Sequence, residues 1–557
     1  MRSSNLDRTF TREQIKQRIA LGDVIVIHRS SVYKLNSWLK KHPGGELAIL
    51  HFVGRDATDE IEAYHPEHVI KQMRPFVIGC LKKGDQEVDG KIGLNWRPLN
   101  PPVQIGLWPI PNDKDLSYLD SGYDEIHEGE EDSSDDLNDD KSKIKIDIRR
   151  IIKLLEPNDP KKTISESCYN LDPTHQQQIS KSYHELHEKV KRAGLYKPPS
   201  FFYGYGTDLI RYSFLFSIFF ITSPWYRLVR EKLFNSYDPS IILSGSTFQY
   251  FVSAVFLGLW WHQITFVVHD AGHCEVTGNW EVDRLVGISI ANFLGGLSVG
   301  WWCDNHDIHH LVTNHPEHDP DIQHLPFFAI STKFFESLRS TYYKRVMEFS
   351  KFSKRLVKHQ HRLYYFIMMF ARFNLFSNSY IYLYNRKDQR FRNLEISGII
   401  FFWCYFLTLI YLLPSWPIRI MFVIVSFAVT SPLHVQIVLS HFAKSTEDLG
   451  LDECFAHRQI RTTMDVDCPS YLDFIHGGLN MQIAHHLFPR LPRHNLRIVT
   501  NKFVKPWCKE IGLNYQSFKF MESNLKVLNV LQEVSNQIQI LKLVASSQAK
   551  EKKTLNL

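Results

Sequence analysis

Three histidine-rich motifs in the second half of the chain constrain its fold more than any other feature. They contain His269 and His273 in HDAGH, His306, His309 and His310 in HDIHH, and Gln482, His485 and His486 in QIAHH. Residues three or four apart share one face of a helix, so each motif can direct imidazoles at one point. The apolar stretches between the motifs are long enough to enter a membrane. The motifs must therefore converge from distant segments beside a bilayer, and convergent imidazoles indicate a metal site.

The number of imidazoles exceeds what a single tetrahedral metal ion needs. Zinc takes four ligands, and a catalytic zinc keeps one position open. Seven histidines in the three motifs therefore favour two metal ions. Neutral imidazole binds zinc, copper, iron and nickel, so the ligand type alone does not choose the metal. Two zinc ions would suit hydrolysis and two irons would suit oxygen activation, and the motifs leave both open.

The N-terminal region carries a different histidine signature. His42 lies in HPGG within KKHPGGELAIL, and His65 follows the acidic segment DATDEIEA. This region resembles the cytochrome b5 haem domain, in which the HPGG histidine and a second histidine bind one haem iron from opposite sides. The resemblance implies haem b with His42 and His65 as axial ligands, and His68 is the alternative to His65. A haem with both axial positions filled passes electrons and does not bind oxygen.

An electron-transfer haem beside the three motifs favours oxidative chemistry over hydrolysis. The order of a cytochrome b5 domain, HxxxH, HxxHH and QxxHH resembles the front-end desaturases, and the wording HDAGH and QIAHH most resembles fungal sphingolipid Δ8 desaturases. The resemblance implies two non-haem iron ions held by the histidines of the three motifs. It adds His441 in VLSHFA as a further iron ligand. Gln482 stands where other desaturases carry histidine, and its amide binds metal only weakly.

The resemblance also implies a reaction and its partners. An NADH-cytochrome b5 reductase, or a similar NAD(P)H reductase, would supply electrons through the haem. Together with O₂, these would introduce a double bond between carbons 8 and 9 of the sphingoid base of a ceramide or glucosylceramide precursor. The alternatives are a front-end acyl-lipid or acyl-CoA desaturase, a lipid hydroxylase, and a haem electron carrier without catalytic activity. The resemblance implies no nucleic-acid partner.

The 557 residues exceed one ordinary domain and divide by composition into three parts. Residues 1–85 predict a small α+β haem domain, and residues 161–557 predict an all-α membrane desaturase domain with a cytosolic cap of histidine motifs. Residues 86–160 are rich in proline and acidic residues and predict a flexible linker, most clearly from Asp124 to Asp140. The polar N-terminus predicts no cleavable signal peptide. Eight cysteines without a CxxC pair predict reduced thiols.

Membrane insertion is predicted from apolar segments of about 20 residues. Four segments qualify as candidate transmembrane helices: 209–228, 248–268, 396–413 and 418–439. A fifth apolar stretch, Leu285 to Trp302, separates the first two motifs and would put them on opposite sides if it spanned, so we expect it to be re-entrant or interfacial. The resulting topology is a multi-pass protein of the endoplasmic reticulum membrane, with its haem domain and histidine motifs facing the cytosol.

Other histidines and aspartates near the motifs are expected to support the metal site without binding metal. His262 lies seven residues before His269 among apolar neighbours and is expected to be structural. Carboxylates commonly orient metal-bound imidazoles. The residues expected to do so are Asp270 and Asp307 within the motifs and Asp319 and Asp321 after the second one, where His315, His318 and His324 also lie.

Overall fold

A computed structural model describes residues 8–82, 87–88, 91–92, 98–110, 148–157, 171–200, 202–233 and 245–555. The chain divides into two compact units. The first is Met1–Pro173 with Leu449–Glu453, and the second is Thr174–Asp448 with Cys454–Leu557. The acidic segment from Asp124 to Asp140 and Cys168 lie outside the described residues. The seven cysteines within them are free thiols.

The first unit is a small α+β domain, as predicted. Its mixed sheet contains Thr9–Phe10, Ile25–His28, Ser31–Lys34 and Val77–Leu81, in the spatial order first, fourth, third, second. Its helices are Arg12–Ala20, Glu46–Leu50, Thr58–Tyr64, Glu67–Gln72 and Ile148–Leu155, and Glu87–Val88 pairs with Lys91–Ile92. Gly45 ends HPGG at φ +82°, a conformation that glycine adopts without strain. It lets the chain turn directly from His42 into the helix that begins at Glu46.

Two segments of the predicted linker pack against this domain. The Leu99 amide donates to the Gly54 carbonyl at 3.0 Å, and Asn100 Nδ2 donates to the Leu154 carbonyl at 3.1 Å. The Glu156 carboxylate pairs with Arg12 and Lys16, each at 2.7 Å. The prediction of a flexible linker over 86–160 is therefore wrong for residues 98–110 and 148–157. These segments form hydrogen bonds and ion pairs with residues of the domain that are distant in sequence. The composition of the segments does not predict such contacts.

The second unit is helical. Its helices are Pro173–Arg192, Tyr205–Thr222, Pro224–Leu233, Thr247–Gly272, Trp280–Ala291, Val299–Leu311, Lys351–Val357, Gln360–Met369, Ala371–Asn385, Arg392–Tyr411, Trp416–Val429, Ser431–Leu439, Phe455–Thr462, Asp473–His476, Gln482–Leu487, Leu496–Val499, Lys505–Glu510 and Phe520–Leu555. Asp465–Asp467 pairs in parallel with Ser517–Lys519, and Arg339–Ser340 pairs antiparallel with Arg345–Val346. This arrangement confirms the predicted helical domain.

Among the described residues, three helical segments are long and apolar enough to cross a membrane: Thr247–Gly272, Arg392–Tyr411 and Trp416–Leu439. The last consists of the helices Trp416–Val429 and Ser431–Leu439, which meet at Thr430. We call them the first, second and third spanning helices. The prediction of a fourth, over 209–228, is wrong in its extent. The helix Tyr205–Thr222 ends at Ser223, and Pro224 begins a separate helix. Proline lacks the amide hydrogen that a continuing helix needs, and it is favoured in a first turn.

The stretch from Leu285 to Trp302 does not form one helix. The helix Trp280–Ala291 ends, and the motif-2 helix, Val299–Leu311, begins after a turn. The buried carboxylate of Glu395 holds this turn. It accepts hydrogen bonds from Ser298 Oγ at 2.6 Å, Asn292 Nδ2 at 3.1 Å and the Gly300 amide at 3.2 Å.

Candidate metal centre

The histidines of the three motifs are carried by three helices and lie close together. His269 lies in the last turn of the first spanning helix, and His273 directly follows that helix. His306, His309 and His310 lie on the motif-2 helix, and His485 and His486 lie on the helix Gln482–Leu487, the motif-3 helix. His441 follows the third spanning helix. All eight imidazoles are buried.

Four of these imidazoles form a first group, defined by His269, His273, His306 and His485. One nitrogen from each lies within 4.8 Å of the nitrogens of the others. The His269 and His485 ring centres are 4.6 Å apart, and those of His273 and His306 are 5.1 Å apart. The group joins one histidine pair from the first motif to single histidines of the other two.

Three imidazoles form a second group, defined by His309, His441 and His486. Their ligand nitrogens also lie within 4.8 Å of one another. The ring of His309 is 4.5 Å from that of His441 and 5.1 Å from that of His486. His441 thus joins the histidines of the second and third motifs, although it belongs to none of the three.

His310 lies between the two groups. Its Nε2 is 3.1 Å from Nε2 of His306 in the first group. Its ring stacks on that of His486 in the second group, with centres 4.1 Å apart. Gln482 is buried at the start of the motif-3 helix.

The first unit contains a second pair of facing imidazoles. The rings of His42 and His65 have centres 6.1 Å apart. Their Nδ1 atoms are 2.9 Å from the Gly45 carbonyl and 3.0 Å from the Ile61 carbonyl, so Nε2 of each is the nitrogen suited to a metal. A metal–imidazole bond is about 2 Å long. One iron therefore fits between the two rings, whereas His68 is exposed.

Comparison with known proteins decides the family. Residues 246–519 match the family described as fatty acid desaturase, and residues 11–82 match the cytochrome b5-like haem/steroid binding domain. A protein of Emericella nidulans named Delta 8-(E)-sphingolipid desaturase is 41% identical, over 97% of each chain. The chain belongs to the fatty acid desaturase family. Proteins with the same name in Komagataella phaffii and Kluyveromyces lactis are 40% and 36% identical, over 95% and 98% of this chain and 94% and 96% of their own.

This membership confirms the predicted cytochrome b5-fused desaturase and makes the protein an oxidoreductase. The family implies haem in the first unit and iron in the second. The residues fit iron, because imidazole is a common ligand of that metal. Five buried Nε2 atoms in the two groups have no hydrogen-bond partner among the described residues: those of His269, His273, His441, His485 and His486.

Several imidazoles of the two groups are oriented by hydrogen bonds at Nδ1. His309 Nδ1 is 2.9 Å from Asp319 Oδ2, His441 Nδ1 is 3.2 Å from the Thr462 carbonyl, and His486 Nδ1 is 2.8 Å from Gln459 Oε1. Such partners fix the tautomer and leave Nε2 for the metal. The expected role of Asp319 agrees with this geometry. Asp321 lies 3.7 Å from His306 Nδ1.

The electrostatics of the centre favour neutral imidazoles, the form that binds metal. Burial and neighbouring imidazoles lower the pKa of His273, His485 and His486 well below its ordinary value. His309 differs. Burial lowers its pKa, but the carboxylates of Asp319 and Asp321 outweigh this effect and raise the pKa above its ordinary value.

Two carboxylates within the motifs do not have the role expected from the sequence. Asp270 accepts hydrogen bonds from the Tyr205 hydroxyl at 2.8 Å and forms an ion pair with Arg493 Nε at 2.9 Å. Asp307 has no hydrogen bond to an imidazole among the described residues. Asp307 is half-buried, and this burial raises the pKa of its carboxyl to about 7, an effect that the nearby Arg284 opposes. Asp270 therefore ties the first motif to the segment after the third.

Sequence reasoning missed three residues that support the site, namely Gln459, Thr462 and Arg493. Gln459 also donates from Nε2 to the His310 carbonyl at 2.8 Å, so it bridges the second and third motifs. Gln459 and Thr462 share the helix Phe455–Thr462, which carries no histidine motif. Only the position of Arg493 shortly after QIAHH could have drawn attention to it.

The other histidines near the motifs stay outside both groups. His262 lies on the first spanning helix and stacks edge-on with Phe266 at 5.2 Å. His315 and His318 stack on each other with ring centres 3.9 Å apart. His324 packs against Phe442 at 5.6 Å. None of these histidines belongs to a metal-type group in the described part of the chain.

Proposed function

We propose that the desaturase introduces a double bond between carbons 8 and 9 of the sphingoid base of a ceramide or glucosylceramide precursor. The convergence of two imidazole groups carries the proposal, because this arrangement suits two adjacent irons. The substrate class is supported by relatives named Delta 8-(E)-sphingolipid desaturase that align along nearly the whole chain.

The two groups would each hold one non-haem iron. His269, His273, His306 and His485 would bind the first iron, and His309, His441 and His486 would bind the second. His310 would complete the second set or bridge the two, since its ring contacts both groups. Gln482 would bind metal only weakly or hydrogen-bond a neighbouring ligand. Asp319, Gln459 and the Thr462 carbonyl would hold their imidazoles in the metal-binding tautomer.

His42 and His65 would be the axial ligands of haem b in the first unit. Their facing rings and their Nδ1 hydrogen bonds to backbone carbonyls support this assignment. With both axial positions filled, the haem would pass single electrons. An NADH-cytochrome b5 reductase or a similar reductase would be its donor.

When bound, the irons would supply the activation of O₂ that unactivated C–H bonds require. The overall balance is one CH₂–CH₂ unit, O₂, two electrons and two protons giving CH=CH and two waters. Two of the four electrons that reduce O₂ leave the lipid with its two hydrogens, and the other two come from the reductase. The protein's task is to position the lipid chain and to exclude bulk water, which the burial of the imidazoles supports.

The proposal includes residence in the endoplasmic reticulum membrane with the haem domain and the histidine motifs in the cytosol. Three apolar helices support membrane insertion. Basic residues between the first and second spanning helices, including Lys351, Lys354 and Arg355, agree with the excess of positive charge on cytosolic segments.

The test is lipid analysis of a host whose sphingoid bases lack a C8 double bond. Expression of the wild-type chain should add one double bond between carbons 8 and 9. His309→Ala and His42→Ala should abolish it, because they remove an iron ligand and a haem ligand. The matched control His359→Ala, at an exposed histidine, should retain the product.

Other lipid changes would point elsewhere. A hydroxylated acyl chain would favour a hydroxylase, and an altered glycerolipid acyl profile with unchanged sphingoid bases would favour an acyl desaturase. Unchanged lipids despite full haem and iron content would favour an electron carrier. Each of these outcomes contradicts the proposed reaction.

A further inference from the structure

A second layer of buried polar side chains lies on the helices that carry the metal centre. His262 precedes His269 by seven residues on the first spanning helix. His434 lies on the third spanning helix, seven residues before His441, which follows the end of that helix. Seven residues make about two helical turns, or roughly 10.5 Å, and return to nearly the same face. Two histidines therefore lie one layer below the two metal-type groups.

These histidines belong to a connected set. His262 Nδ1 lies 3.1 Å from Gln263 Nε2, which also donates to the Phe474 carbonyl at 3.0 Å, two residues before His476. His476 Nδ1 is hydrogen-bonded to Gln436 Oε1, two residues after His434 on the third spanning helix. The Arg372 guanidinium lies over the ring of Trp261, the residue before His262. We call His262, Arg372, His434, Gln436 and His476 the lower polar cluster. All of them are more than nine-tenths buried.

The lower polar cluster contains polar atoms that the described residues leave unsatisfied. His434 Nε2, Gln436 Nε2 and Arg372 Nε are buried without a hydrogen-bond partner among those residues. An unsatisfied buried donor costs about 1 to 3 kcal/mol, so a fold retains several of them at one place only when something else binds them. The cluster therefore has the chemistry of a binding site for a polar, oxygen-bearing group.

Arg372 strengthens this conclusion. Its guanidinium lies 4.2 Å from the centre of the Trp261 ring and donates to the Gly295 carbonyl at 2.7 Å. Within the described residues, no carboxylate forms an ion pair with it. Burial lowers its pKa to about 10, so it remains charged at neutral pH. An ionisable side chain buried against a candidate spanning helix without a counter-charge is a functional-site hypothesis.

We propose that the lower polar cluster binds the polar end of the sphingoid lipid, namely its amide carbonyl and its hydroxyls, and so sets which carbons reach the irons. The inference rests on the proposed function. Carbon 8 lies seven bonds from carbon 1, or roughly 9 Å in an extended chain with standard bond lengths. This length is close to the two helical turns between the cluster and the metal centre. An alkyl tail could not satisfy these donors, whereas carbonyl and hydroxyl oxygens can.

The experiment uses the purified full-length protein with haem and iron bound, NADH, a cytochrome b5 reductase and a ceramide with a saturated sphingoid base. The test variants are His434→Leu and Gln436→Leu, which remove the unsatisfied donors, and His434→Gln, which keeps a hydrogen-bonding side chain. Tyr250→Phe is the matched control. It also removes a buried polar atom that has no partner among the described residues, but nineteen residues before His269 on the same helix.

We expect His434→Leu and Gln436→Leu to raise the KM for ceramide about ten-fold, the size of one lost buried hydrogen bond. Part of the product should carry its double bond away from carbon 8, while iron content stays at the wild-type value. His434→Gln should retain more of the wild-type behaviour, and Tyr250→Phe should match the wild type.

Two results would overturn the inference alone. One is an unchanged KM with all product at carbon 8. The other is loss of iron from both leucine variants, which would make the cluster a support of the metal site. A wild-type enzyme that binds its irons but forms no C8 double bond from ceramide would overturn the proposed function and this inference together. The wild-type reaction therefore separates the two failures.

Discussion

The metal centre depends on single residues that no histidine motif contains. Asp319 is completely buried, contacts His309 Nδ1, and accepts hydrogen bonds from the amides of Asn314 and Asp321. Its carboxylate therefore holds one imidazole and also shapes the loop after the motif-2 helix. Among the described imidazoles of the centre that lie outside the spanning helices, only that of His309 has a raised pKa. The negative charge of Asp319 contributes to this increase.

Asp319→Asn should weaken iron binding without unfolding the protein. The amide oxygen can still accept a hydrogen bond, but the negative charge that strengthens His309 as a ligand is gone. Losses of this kind typically reduce metal affinity about 10- to 100-fold. The measurement is the iron retained after a graded chelator challenge, with circular dichroism to check the fold. Retention equal to wild type would show that Asp319 serves only the loop.

Part of the site was predictable at this scale, and part was not. The spacing within each motif identifies the histidines because helical geometry puts neighbours three and four apart on one face. His441 was predicted from family resemblance, and the structure brings it beside His309 and His486. Gln459 and Thr462 are common polar residues without a distinctive pattern. Their roles come from tertiary packing, so no local rule could identify them.

At the scale of secondary structure, the turn before the motif-2 helix determines where that helix begins. Glu395 enters from the second spanning helix and satisfies the turn that precedes the motif-2 helix. Its other oxygen, Oε1, accepts from Gln389 Nε2 at 2.6 Å. Gly296 in the same turn has φ +71°, and a Cβ there would lie 2.4 Å from the Phe402 ring. This turn redirects the chain after Ala291, so the apolar stretch from Leu285 to Trp302 does not continue as one spanning helix.

Glu395→Ala should destabilise the desaturase domain by about 3 kcal/mol or more, because several buried donors lose their acceptor at once. Glu395→Gln keeps one acceptor oxygen and should lie between alanine and wild type. Ser397→Ala, at an exposed position on the same helix, is the control. The measurement is the Tm of the detergent-solubilised protein. A Tm for Glu395→Ala within the range of the control would contradict this role.

At the scale of the whole molecule, the chain contains a small α+β unit and a helical unit whose long apolar helices suit a membrane. The second unit exposes large apolar side chains on its spanning helices, among them Ile400, Phe401, Leu407 and Ile424. Contiguous apolar surface of this kind suits contact with lipid. The continuous apolar segments of the sequence coincide closely with three long apolar helices. The break at Pro224 and the packing of residues 98–110 and 148–157 depend on local geometry and on partners far along the chain, which composition does not encode.

The central claim is that the two imidazole groups hold two irons while the first unit holds one haem. The most direct test is the metal content of the purified full-length protein, with haem measured separately from non-haem iron. The account predicts two non-haem irons and one haem per chain, with the non-haem iron reduced by His273→Ala or His486→Ala and the haem retained. Zinc in place of iron, or non-haem iron that survives both substitutions, would contradict it.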